Sequence, residues 1–259
     1  CFEGATIRNL YPGRSGLQGI LADHLFQCGF TGLVDGPTDV FGSILGESFD
    51  SRDVVRGLSS TYRIEQNYFK FYACCRYNHP ALEAVLSLRR REKLLPEQVE
   101  SVDVVTARYP TGMVGEYPRN MLGAKFSIPY AVATAIVRDG ADVPDFFAKA
   151  MDDGRIRELA SRVSVNPDHE MSLRRDDSLT ARVSVRLKDG RVLSETTGIV
   201  RGDAGNPVPR GELVDKFFSL TTDILGLERA QAIVDIIDRL EEISDVRELT
   251  TLLRISKEG

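Results

Sequence analysis

The chain of 259 residues carries 33 Lys and Arg against 38 Asp and Glu, a formal net charge of -5, with 42% hydrophobic and 27% charged residues. That length and balance describe a globular chain able to bury one large core or two ordinary ones. They argue against nucleic acid as the main partner, because phosphate binding favours a basic surface. No apolar run reaches membrane-span length, and no basic start leads into an apolar stretch, so a cytoplasmic protein with no membrane partner is expected.

In chain order, residues 1–67 read as helical. "GRSGLQGILADHLFQCG" sets Leu17, Ile20, Leu21, Leu25 and Phe26 at helical spacing, with Gly29 as the stop. Its glycines imitate a phosphate loop, but the Gly-Lys-Ser/Thr ending of that motif is absent. The chain opens at Cys1 without a methionine, which reads as the interior of a longer polypeptide.

"HPALEAVLSLRRREKLL" follows as an amphipathic helix with Pro80 in its first turn. "VESVDVVTARY" reads as a strand from its β-branched residues. "KFSIPYAVATAIVRDG" is a helix closed by Gly140, and "PDFFAKAM" and "RIRELASRV" are short helices. "LTARVSVRLKDGRVLSETTGIV" is a hairpin, its apolar residues alternating on either side of an Asp189-Gly190 turn. After the turn-rich "RGDAGNPVPRGEL" only helices remain. The expected class is α+β and multidomain. A partial all-helical domain (1–67 and 203–259) is interrupted by an inserted α+β lid with antiparallel strands (68–202).

Four cysteines, Cys1, Cys28, Cys74 and Cys75, form no C-x-x-C pair and no zinc spacing, so no metal site and no disulfide scaffold is expected. Reactive side chains gather in three places: "FKFYACCRYNHPALEA" with Lys70, Tyr72, Cys75 and His79; "AKFSIPY" with Lys125 and Tyr130; and "IRNLYPGR" with Arg8, Tyr11 and Arg14. Taken singly, each has an ordinary explanation as a solvated cation, a core thiol or a core aromatic.

Taken together, these strings, the "LKDGR" hairpin and "GNPVPRGELVDKFF" resemble the MmgE/PrpD family, in the family's order and over nearly the whole chain. That family includes 2-methylcitrate dehydratases, cis-aconitate decarboxylase and iminodisuccinate epimerase. The resemblance covers about the C-terminal half of a usual member. It implies a helical domain with an inserted lid, a cleft between them, a homodimer and no cofactor. The implied reaction is proton abstraction and elimination on a di- or tricarboxylate, in the manner of 2-methylcitrate dehydratase.

Residue by residue, Lys70 and Tyr130 match cleft-facing family positions, and Arg8 keeps the positive charge of a substrate-facing lysine. Cys75 stands where the decarboxylase has histidine, which favours dehydratase-like members. The implied catalytic set is Lys70, Tyr130 and Cys75, with Arg8, Lys70, His79 and Tyr11 binding substrate. Cations suit this chemistry because removing a proton beside a carboxylate builds up negative charge. The family's remaining site groups lie upstream, so this stretch alone is expected to be inactive unless an N-terminal fragment joins it. The alternatives are an inactive relative serving as a binding module, or an epimerase or decarboxylase of the same family.

Overall fold

The structure, a computed structural model, describes residues 5–106, 111–115, 118–168 and 179–254; Cys1 lies outside them. The chain divides into two compact units at the junction of Ala204 and Gly205.

In the first unit, Tyr11–Gln27 forms helix α1, ending beside Gly29 at φ +91°. The helix is where its periodicity puts it, yet none of its side chains is buried, and Leu17, Ile20 and Phe26 are more than half exposed. Residues 31–67 are less helical than expected. They hold a wide turn at Thr38–Ile44, the one-turn α2 (Arg52–Val55) and a tight turn at Arg63–Gln66.

The buried part begins with α3 (His79–Glu92), where Ala81, Leu82, Ala84, Val85 and Leu88 are all out of solvent. A four-stranded sheet follows, with β1 at Val99–Thr106, β2 at Val163–Pro167, β3 at Ala181–Leu187 and β4 at Val192–Thr197, in spatial order β2-β1-β3-β4. β3 is antiparallel to both β1 and β4, and Val104 faces Val183 while Val102 faces Val185. The expectation of antiparallel strands is corrected at one edge, because β2 runs parallel to β1. Period-2 alternation puts Val102, Val104, Val183 and Val185 on the inner face. On the outer face Ser164 and Asn166 both donate to Asp103, at 2.7 and 2.8 Å.

Four further helices follow: the one-turn α4 (Met121–Ala124), α5 (Ile128–Arg138), the one-turn α6 (Ala148–Met151) and α7 (Gly154–Ala160), while α3 packs directly on β3 and β4. All nine residues from Ile128 to Ile136 are buried, and α5 packs on α3, α7 and β2 at once. Four alanines and threonines in that run keep it thin enough to sit among three neighbours. Its left-handed closing residue is Asp139 at φ +62°, one position before the expected Gly140.

The second unit is helical: α8 (Arg210–Leu225), α9 (Leu227–Ile237) and α10 (Arg247–Leu252). α9 packs against both α8 and α10, burying Ala230, Ile233 and Ile236, and Arg229 donates to the Leu252 carbonyl at 2.6 Å. Among the described residues, no helix is long and apolar enough to cross a membrane.

Candidate functional site

Lys70 and Cys75 lie on an irregular strap, residues 67–75, that leads into α3. Without a strand ladder, its backbone groups need other partners. The Phe69 amide donates to the Gly202 carbonyl at 2.9 Å, the Ala73 amide to Ala141 at 2.9 Å, and the Cys75 amide to Lys125 at 2.8 Å. Side chains fasten the strap as well. Tyr72 is buried, and burial, with the negative charge of Glu83 on α3 nearby, pushes the phenol above its ordinary range. Its ring meets that of His79 edge-on, centroids 5.2 Å apart at 77°.

The Lys125 carbonyl joins the pieces. Lys125 caps α4 two residues before Ser127 caps α5, so it lies between two helices rather than within one. Its carbonyl accepts from the Cys75 amide and, at 3.2 Å, from the Asn78 side chain. The next residue, Phe126, receives the Arg8 guanidinium over its ring at 5.0 Å. Lys125 and Lys70 both stand close enough to Cys74 to draw its thiol pKa downward. The Cys75–Lys125 backbone bond thus joins the strap carrying Lys70 to the segment whose Phe126 meets Arg8, with Lys70 and Arg8 exposed and Cys75 half-buried.

The two adjacent thiols differ in kind. Cys74 is buried, and burial, outweighing the hydrogen bond from Asn78 and the two lysines, pushes its thiol up to about 12. At neutral pH it is a protonated core residue. Cys75 is the more open of the pair.

Two expected site residues point elsewhere. Tyr130 is 3% exposed, and its hydroxyl donates to the Asp145 carbonyl at 2.9 Å. Burial pushes it up to about 12. Its hydrogen is committed to the turn at Val143–Phe146, which Arg138 also holds through Asp145 at 2.6 Å. A proton donor facing a cleft is not what this geometry provides. His79 is fully buried beneath the strap, its Nε2 3.4 Å from the Cys74 carbonyl, so it supports the strap instead of lining a surface. Tyr11, at the start of α1, is 58% exposed.

Lys125 and Asn78 were missing from the expected set. The Lys125 carbonyl and the Asn78 amide are the groups that join the segments, and a search for reactive side chains passes over both. A separate cavity of about 170 Å³ between Arg155, Glu158, Arg162 and Lys188 contains none of the site residues. Its Arg155 and Arg162 are already paired with Asp153 and Glu158. Among the described residues, no group of three or more His, Cys, Asp or Glu is arranged to hold a metal ion.

The family model of the MmgE/PrpD C-terminal domain matches residues 72–242. The chain is 27% identical over 140 residues to the cis-aconitate decarboxylase of Homo sapiens, covering 53% of this chain and 28% of that protein. It is 25% identical over 140 residues to the cis-aconitate decarboxylase of Mus musculus, again covering 53% of this chain and 28% of that protein. With the cis-aconitate decarboxylase of Aspergillus terreus (strain NIH 2624 / FGSC A1156) it shares 22% identity over 272 residues, 96% of this chain and 55% of that protein. The chain thus spans about half the length of the fungal relative and less of the mammalian ones.

Proposed function

Since the chain belongs to the MmgE/PrpD family, we propose that it forms part of a lyase acting on a di- or tricarboxylate. Arg8, Lys70 and Lys125 hold the carboxylates, and Cys75 is the group that exchanges a proton. The observation that carries this reading is the bond from the Cys75 amide to the Lys125 carbonyl, which joins the strap bearing Lys70 to the segment whose Phe126 ring receives Arg8. A carbanion or ene-diolate left by loss of CO₂ or of a proton is stabilised by fixed positive charge. After CO₂ loss the carbon takes up one proton, whereas after proton loss it expels the neighbouring hydroxyl, which leaves as water with the proton it receives. Lysines present that charge as mobile points and Arg as a planar fork, so the set accommodates more than one carboxylate. Tyr130, in this reading, positions α5 and leaves the chemistry to the others.

The matched relatives are decarboxylases by name, whereas Cys75 favours a dehydratase such as one for 2-methylcitrate. Both reactions start from a bound tricarboxylate. Incubation with cis-aconitate and with 2-methylcitrate distinguishes them, CO₂ release marking decarboxylation and a new conjugated double bond marking dehydration. Retained binding without either product selects the second reading, a carboxylate-binding module. That reading is favoured by the inward commitment of Tyr130 and His79. Failure of cis-aconitate, 2-methylcitrate and citrate to bind, with the protein folded, rejects both. The reading includes a homodimer in the cytoplasm, supported by the exposed Leu17, Ile20 and Leu21 of α1. Light scattering that gives a monomer mass removes the dimer.

A further inference from the structure

The first unit's chain passes through residues 68–76 before the sheet and through residues 199–203 after it, and the two passes are fastened to each other by three kinds of contact. Besides the bond from the Phe69 amide to the Gly202 carbonyl, the Arg201 guanidinium lies over the Phe71 ring at 4.4 Å. Arg76 makes an ion pair with Asp203, with only 12% and 25% of the two side chains exposed. The same guanidinium stands over the Tyr68 ring at 4.6 Å, so Arg76 grips its own strap and the returning one together. Gly202 permits the approach. Its φ is +91°, and a Cβ there would sit 2.4 Å from the Phe69 carbonyl oxygen.

Lys70 lies between two of the fastened residues, Phe69 and Phe71. A lysine side chain has high rotamer freedom, so a fixed backbone sets where its stem starts and thereby which region its ammonium can reach. We propose that Arg76 and Asp203 are positioning residues for Lys70: the clasp they close between the two passes holds the Lys70 backbone where its ammonium can reach the ligand. The proposal rests on the reading that Lys70 meets a substrate carboxylate. Residues 127 positions apart are joined here by a charge-assisted bond largely shielded from water. Such a pair resists salt screening better than the exposed Arg–Asp pairs elsewhere on the chain.

The test uses the intact protein, with Asp203→Ala, the charge-swapped double variant Arg76→Asp with Asp203→Arg, and Lys70→Ala. Amide hydrogen exchange is read at Phe69 and Ile136, and the dissociation constant for cis-aconitate by calorimetry. Asp203→Ala should speed exchange at Phe69 by about tenfold, leave Ile136 unchanged, and weaken cis-aconitate about fivefold. The swapped pair should recover much of both. Unchanged exchange at Phe69 overturns the clasp. Faster exchange with unchanged affinity, while Lys70→Ala weakens binding, overturns the positioning role alone. If the wild-type protein does not bind cis-aconitate, or Lys70→Ala leaves its affinity intact, the reading of the site fails and takes the proposal with it.

Discussion

The Arg8 guanidinium stands 5.0 Å from the centre of the Phe126 ring, and Phe126 directly follows the lysine whose carbonyl anchors Cys75. This contact brings a residue from the exposed start of the first unit to the strap. Cation–π pairs at open sites are worth about 0.5–1 kcal/mol. In a double-mutant cycle on cis-aconitate affinity, Arg8→Ala and Phe126→Leu should therefore couple by about 0.5 kcal/mol. Strictly additive effects would show that the ring does not steer the arginine.

Tyr130 offers a test of side-chain direction. Tyr130→Phe removes the donor to the Asp145 carbonyl and should cost about 1 kcal/mol in urea unfolding, with cis-aconitate affinity unchanged. Lys70→Ala should do the reverse, leaving stability within about 0.5 kcal/mol because Lys70 is exposed, while weakening the ligand. A Tyr130→Phe protein of full stability and no affinity would turn the hydroxyl back toward the ligand.

Leu82 is fully buried on α3, the helix that packs on β3, β4 and α5. Leu82→Ala should cost about 2–5 kcal/mol. Chemical denaturation read by far-UV circular dichroism measures it, and a loss under about 1 kcal/mol would mean that the core closes over the gap.

The elements legible in the sequence are those with enough repeats of their own period. α3 shows its apolar stripe over four turns, and β3 and β4 alternate on either side of an Asp-Gly turn, with Gly190 at φ +90°. β2 was hidden because "VSVNP" offers only two apolar residues, and nothing in them specifies a parallel partner. The class was legible while the mixed sheet was not. At the site, the strings marked which segments meet, but not which way their side chains turn. Tyr130 and His79 turn inward because Asp145 and Tyr72 are there to receive them, and those partners lie outside the motif or on its far side. The Lys125 carbonyl left no signal at all, since every residue has one.

Alkaline pH should draw out the buried thiol and phenols of the first unit. The Cys74 thiol rises from its ordinary 9.0 to about 12 on folding, chiefly through burial. Between those values the unfolded chain has released the proton and the folded chain has kept it. The contribution is therefore whole below pH 9.0 and is lost as pH climbs toward 12, by about 1.4 kcal/mol per pH unit at most. Tyr130, raised from 10.0 to about 12, and Tyr72, also raised from 10.0, join only above pH 10. Stability measured by urea unfolding should hence decline gently from pH 9.0 and steeply past 10.0. Cys74→Ala should flatten the first stretch and make the second less steep, leaving there only the decline due to the two tyrosines. A Cys74→Ala protein whose stability still falls with the wild-type slope between those two values would place the titrating group elsewhere, and would remove the reason for treating the two adjacent thiols as chemically unequal.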